Sequence, residues 1–221
     1  MGLAARLVPF FCLYAMKIDT TTYQLPTDCY FQEKIAKSLI LLHFTAGSSA
    51  EGAITFWKSN KNKVSTPFVV NRDGTIYQTF DPVCWSYHLG FKGTWAHDKR
   101  SVPIEIVNIG PLVKRGDMLY CWPNGFKTTY CHADETDKYV QSTYRGYDYY
   151  AAFPKVQLDS VVSLVDKISK DFGIPKDIPP PEKRGVFDPV FAAGWRGIID
   201  HAAFREDKYD IGPAFNWDIL K

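Results

Sequence analysis

The stretch SLILLHFTAG, residues 38–47, decides how the rest of the chain is read. Leu39 to Leu42 form an apolar run of strand length, the pattern of a strand buried on both faces. His43 stands where that strand should emerge, and small residues follow. GIID, residues 197–200, is a second short apolar strand, and it too ends in a histidine, His201. Neighbouring strands that end this way bring both imidazoles to one sheet edge. Asp210 lies downstream, with Gly212-Pro213 after it to turn the chain back. Two neutral imidazoles and a carboxylate, with a fourth position open, are the ligand set of a catalytic zinc ion. Taken singly, each residue has a plainer reading. His43 suits a half-buried strand end, and Asp210 suits a cap ahead of Pro213. No HExxH or other compact zinc motif is present, so spacing alone leaves both readings open.

Around these strands the chain alternates strand and helix. Ser49 can cap a helix whose Ala53, Ile54 and Trp57 share a face. In PFVVNRDGTIYQTF, two β-rich runs flank Arg72-Asp73-Gly74, a hairpin signal. VPIEIVN, residues 102–108, is another strand. Leu158, Val161, Val165, Ile168 and Phe172 trace one face of an amphipathic helix that Gly173 and Pro175 end. Residues 174–196 should be an irregular connection, and Pro213 can start a last short helix. The tyrosine- and glycine-rich segment 110–150 is expected to be a loop insertion with a short hairpin around Met118 to Trp122. The sum is a single α/β domain with a central mixed sheet flanked by helices. It spans residues 16–221, behind an apolar arm or leader at Met1 to Ala15 that is too short to cross a bilayer.

A chain of 221 residues can bury a sizeable core, and 46% hydrophobic with 23% charged residues is ordinary for a globular protein. The formal net charge of +2 gives no case for nucleic acid. Cys12, Cys29, Cys84, Cys121 and Cys131 are odd in number with no CxxC pair, which points to buried free thiols rather than a disulfide framework.

HFTAG, FVVNRDGTIYQ, WSYHLG, SVPIEIVN and IIDHAAFREDKYDIGP occur in one order along the chain. That series resembles the zinc N-acetylmuramoyl-L-alanine amidases, the family of the T7-type phage lysozyme and the peptidoglycan recognition proteins. The resemblance runs from about residue 20 to residue 221, apart from the insertion. It implies that His43, His201 and Asp210 hold one catalytic Zn2+, the third position being cysteine or aspartate in the family. It further implies that Glu105 is the general base, that Lys208 steadies the oxyanion, and that His88 lies near the substrate cleft. Thr66 and Trp85 complete the expected substrate contacts. Two departures stand out. Thr66 occupies a position where some members carry a catalytic tyrosine. Pro103 replaces a usual glycine, which predicts an edge or bulged strand there, because proline donates no ladder hydrogen bond.

The expected protein is thus a monomeric endolysin-like, bacteriolytic hydrolase of phage or bacterial type. It would cleave the amide between the lactyl group of N-acetylmuramic acid and L-alanine in peptidoglycan, acting on the cell wall after export or release at lysis. Its other reading is a non-catalytic peptidoglycan-binding module of the same fold.

Overall fold

A computed structural model of the chain describes residues 17–60, 62–90 and 95–221. The expected arm at Met1 to Ala15 lies outside the described residues. In chain order the strands are β1 (Ile18–Asp19), β2 (Leu39–Phe44), β3 (Phe68–Val70), β4 (Ile76–Gln78), β5 (Ser101–Ile106), β6 (Pro111–Arg115), β7 (Met118–Cys121), β8 (Thr128–His132), β9 (Tyr139–Tyr144), β10 (Tyr147–Ala151) and β11 (Gly197–Asp200). The helices are α1 (Ala50–Ser59), α2 (Trp95–Arg100), α3 (Pro123–Phe126, a kinked single turn), α4 (Lys155–Phe172) and α5 (Pro189–Gly194).

The main sheet has the order β1-β4-β3-β5-β2-β11. All its pairs are parallel except the β3–β4 hairpin. Every residue of LILL is fully buried because β2 is covered on both faces. Ile40 and Leu42 face α4, together with Phe68, Val70, Ile104 and Ile198. Leu39 and Leu41 face the other way, against Ala192 of α5 and Phe204. The stripe Val161, Leu164, Val165 and Ile168 seats α4 on the first face, each side chain contributing about 2 kcal/mol on burial. Ser49 caps α1, its Oγ accepting from the Gly52 N–H at 3.1 Å. In the β3–β4 turn, Gly74 has φ +85°, and a Cβ there would stand 2.9 Å from the Val156 carbonyl of α4. Only glycine allows both the turn and that approach.

Besides α5, which falls within the connection expected to be irregular over residues 174–196, three expectations need correction. Pro103 lies in a central strand whose register against β2 runs unbroken from Ser101 to Ile106. The ladder to β3 begins one residue beyond it, at Phe68–Ile104, so the proline stands where that ladder has not yet started. Pro213 starts no helix. The chain ends in a 3-10 turn at Trp217–Leu220, capped by Asn216, with Phe215 and Trp217 both drawn into the core.

The third correction is larger. Segment 110–150 is not a set of loops but an antiparallel sheet of order β8-β7-β6-β10-β9. Its strands alternate between a half-exposed face and a small core of Leu112, Leu119, Cys121, Cys131 and Ala151. Tyrosine, cysteine and alanine supply much of the apolar side here, so no run of Val, Ile or Leu announces the strands.

Candidate metal centre

Strand register places the centre. His43 in β2 is level with Glu105 in β5, and Asp200 pairs with Leu42, which sets His201 level with His43 on the far side. Alternation along the strands turns all three side chains to the face away from α4. Parallel neighbours lie about 4.8 Å apart, so Glu105, His43 and His201 form one row across three strands. Asp210 reaches the row from a loop. Its carbonyl accepts from the Ala202 N–H at 3.0 Å, closing residues 201–210 on themselves. Arg205 pins the same loop by gripping the Asp207 carboxylate with two nitrogens while its Nη1 donates to the Leu89 and Gly90 carbonyls.

Three atoms converge in this pocket. His43 Nδ1 lies 3.0 Å from His201 Nδ1 and 3.0 Å from Asp210 Oδ2, and His201 Nδ1 lies 2.9 Å from the same oxygen. All three side chains are buried. Among the described residues this is the group of His, Cys, Asp or Glu side chains arranged to hold a metal ion. His201 Nε2 stands 3.0 Å from the Leu89 carbonyl, which can only accept, so in the neutral ring Nε2 carries the proton and Nδ1 is bare. A bare nitrogen facing a carboxylate at hydrogen-bond distance is a repulsive contact unless a cation lies between them. The donor set therefore fits a metal ion. Burial pushes the His43 ring down to about 4, which leaves it neutral at pH 7, the form that binds metals.

Glu105 is the second component. Its Oε2 is shielded from solvent and has no hydrogen-bond partner among the described residues. Burial, reinforced by the charge of Asp210, raises its carboxyl to about 8, against the opposing pull of Lys208. A carboxyl poised near neutrality, with a free oxygen, can both take and return a proton. The half-buried Lys208 brings the nearby positive charge.

A family model described as N-acetylmuramoyl-L-alanine amidase, Amidase_2, matches residues 33–213. The chain belongs to this family. Among solved structures it is similar to a mutant form of PlyL, at 15% identity and TM-score 0.50, over 88% of this chain and 87% of that one. It is also similar to the N-acetylmuramyl-L-alanine amidase AmiD from E. coli, captured with anhydro-N-acetylmuramic acid-L-Ala-D-gamma-Glu-L-Lys. Identity there is 17% and the TM-score 0.52, over 92% of this chain and 63% of that one. Comparison with curated protein sequences gives no match.

Not every residue expected at this amidase-family site meets the triad. His88 touches it from behind, its Nδ1 lying 3.0 Å from His43 Nε2. Thr66 turns its hydroxyl back to the Phe68 carbonyl. Trp85 stacks on Phe31 at 3.9 Å and donates Nε1–H to Glu33. Both belong to contacts of the scaffold. His97 lies in α2 and accepts from Arg100. Sequence reading missed Asp98, Ser101 and Asp200, which are buried around the centre. Asp200 accepts from the Gly185 and Ala203 N–H groups, and burial raises its carboxyl to about 7. Their roles depend on partners at a distance along the chain, and no local pattern marks them.

Proposed function

We propose that this protein is a zinc-dependent N-acetylmuramoyl-L-alanine amidase that hydrolyses the amide between the lactyl group of N-acetylmuramic acid and L-alanine in peptidoglycan. The observation that carries the reading is the buried convergence of His43 Nδ1, His201 Nδ1 and Asp210 Oδ2 beside an unpartnered Glu105 oxygen. These three side chains would hold the ion. When bound, zinc supplies Lewis acidity toward water and the scissile carbonyl. Glu105 takes a proton from the attacking water and returns it to the leaving nitrogen. Lys208 sets its ammonium against the charge that develops on the carbonyl oxygen, a contribution of about 3 kcal/mol at comparable positions.

A cavity of about 400 Å3 opens between the loop after β2 and the insertion, lined in part by Gly47, Ser48, Arg72, Tyr130 and Lys138. It offers room for part of a peptide or glycan beyond the ligand strands. Among the described residues no helix is long and apolar enough to cross a membrane. Dye release from purified cell walls, with and without a chelator, tests the function. Release that the chelator abolishes and zinc restores is the expected result. Binding to walls with no release, even with added zinc, would leave a recognition module instead.

A further inference from the structure

His43 offers two ring nitrogens, and only a bare Nδ1 can serve the metal. What keeps the proton off it lies behind the ring. His43 Nε2 faces His88 Nδ1 at 3.0 Å, and His88 Nε2 faces Ser101 Oγ at 2.7 Å. Ser101 sits at the start of β5, and its hydroxyl donates toward the His97 and Asp98 carbonyls at 2.8 and 3.1 Å. A hydroxyl has one proton, so with its own directed at those carbonyls, Oγ accepts from His88. The Asp98 carboxylate, 3.5 Å from the same His88 nitrogen, is a second acceptor. Its Oδ1 also takes the His88 and Leu89 N–H groups at 3.0 Å, which fixes it in place. Both neighbours of His88 Nε2 therefore call for a proton on that atom.

The rest follows along the chain of rings. With Nε2 protonated, a neutral His88 has a bare Nδ1, which can only accept, and His43 must donate to it from Nε2. His43 Nδ1 is then bare and faces Asp210. The opposite arrangement would place the His43 proton on Nδ1, where Asp210 Oδ2 at 3.0 Å would accept it and close the metal position. Ser101, His88 and Asp98 are each almost fully buried, so water cannot substitute for any of them.

We propose that His88 is a positioning residue that, held by Ser101 and Asp98, fixes the proton of His43 on Nε2 and keeps Nδ1 open for the metal. This rests on the reading of His43 as a metal ligand, and it gives the WSYHLG histidine a role behind the centre rather than in the substrate cleft. Partners of this kind typically change metal affinity about 10- to 100-fold when removed.

Two measurements test it. In metal-free protein, nitrogen-15 NMR of the histidine rings should show His43 protonated at Nε2 in the wild type and at Nδ1 in His88→Leu. Zinc affinity, read by competition with a chromogenic chelator, should fall about 10- to 100-fold in His88→Leu. His88→Asn places an acceptor oxygen near the lost Nδ1 and should recover most of that affinity, which a purely space-filling role would not predict. Ser101→Ala should give a partial loss with His88 still in place, and it carries the test if circular dichroism shows His88→Leu unfolded. Unchanged tautomer and affinity in the folded variants overturn the proposal, as does a His88→Asn protein as weak as His88→Leu. If the wild type itself binds no zinc, the metal reading fails, while the NMR comparison still decides where His43 carries its proton.

Discussion

Glu105 is held in a state that should cost the fold stability, and replacing it with glutamine measures the cost. In the unfolded chain a glutamate titrates near its ordinary value, about 4.5, whereas in the folded, metal-free protein burial raises it to about 8. The folded state therefore binds the proton more tightly. Its relative stability is full below pH 4.5 and drains away as the pH climbs toward 8. At about 1.36 kcal/mol per unit, the penalty is about 1 kcal/mol at pH 5 and about 3 kcal/mol at pH 7, with the further loss slowing above pH 8. Glu105→Gln keeps the shape and removes the titration. Metal-free Glu105→Gln should thus be the more stable protein at pH 7, by about 3 kcal/mol. With a urea slope of about 2 kcal/mol per molar, its midpoint should lie about 1.5 M higher at pH 7, and the gap should shrink to about 0.5 M at pH 5. Groups such as Asp200 titrate in both proteins and cancel in the difference. A divalent ion at the triad favours the ionised carboxylate, so the gap should shrink in zinc-loaded protein. Equal midpoints at pH 7, or a gap that does not change with pH, would refute the account of Glu105 as a strained, desolvated acid.

Other substitutions separate holding the metal from doing the chemistry. His201→Ala should lose both zinc, read by metal analysis of the purified protein, and wall hydrolysis, whereas Glu105→Ala should keep the metal and lose about 10²- to 10⁴-fold in turnover. Lys208→Ala should lower kcat on soluble muropeptide about 10²-fold or more with KM little changed, because its charge acts on the oxyanion rather than the ground state. Gly110→Ala tests the joint between the two sheets. Gly110 has φ +80°, and a Cβ would stand 2.8 Å from the Phe44 ring, so thermal unfolding should show a loss of at least about 1 kcal/mol.

How much of this was legible in the sequence depended on the kind of signal. The parallel core was plain, because SLILLH and GIIDH carry the unbroken apolar runs that only doubly covered strands need. The helix over Lys155–Phe172 was equally plain from its stripe. The five strands of the insertion were hidden, since a half-solvated antiparallel sheet can be built with tyrosine, cysteine and alanine and without any such run. At the centre, His43, His201 and Asp210 were nominated by strand endings but were argued chiefly from a family resemblance. Register aligns His43 with His201 and a loop carries Asp210 to them, and both are long-range properties that no window of sequence contains. The same holds for Ser101 and Asp98, whose neighbours matter only once α2 has brought them under His88.

The position of β11 has a consequence for the integrity of the whole sheet. It is the outermost strand beside β2 and only four residues long. Among the described residues no strand pairs with its far side, where the Ile198 N–H donates to the Asp177 carbonyl and the Trp195 indole donates to the Ile198 carbonyl. Immediately after it comes His201, whose ring meets that of His43 across the strand boundary. On the proposed function, the ion that serves hydrolysis would also rivet the sheet's margin to its centre. Demetallation would then loosen a short apolar edge of the kind that recruits other chains, so loss of zinc would threaten solubility as well as activity.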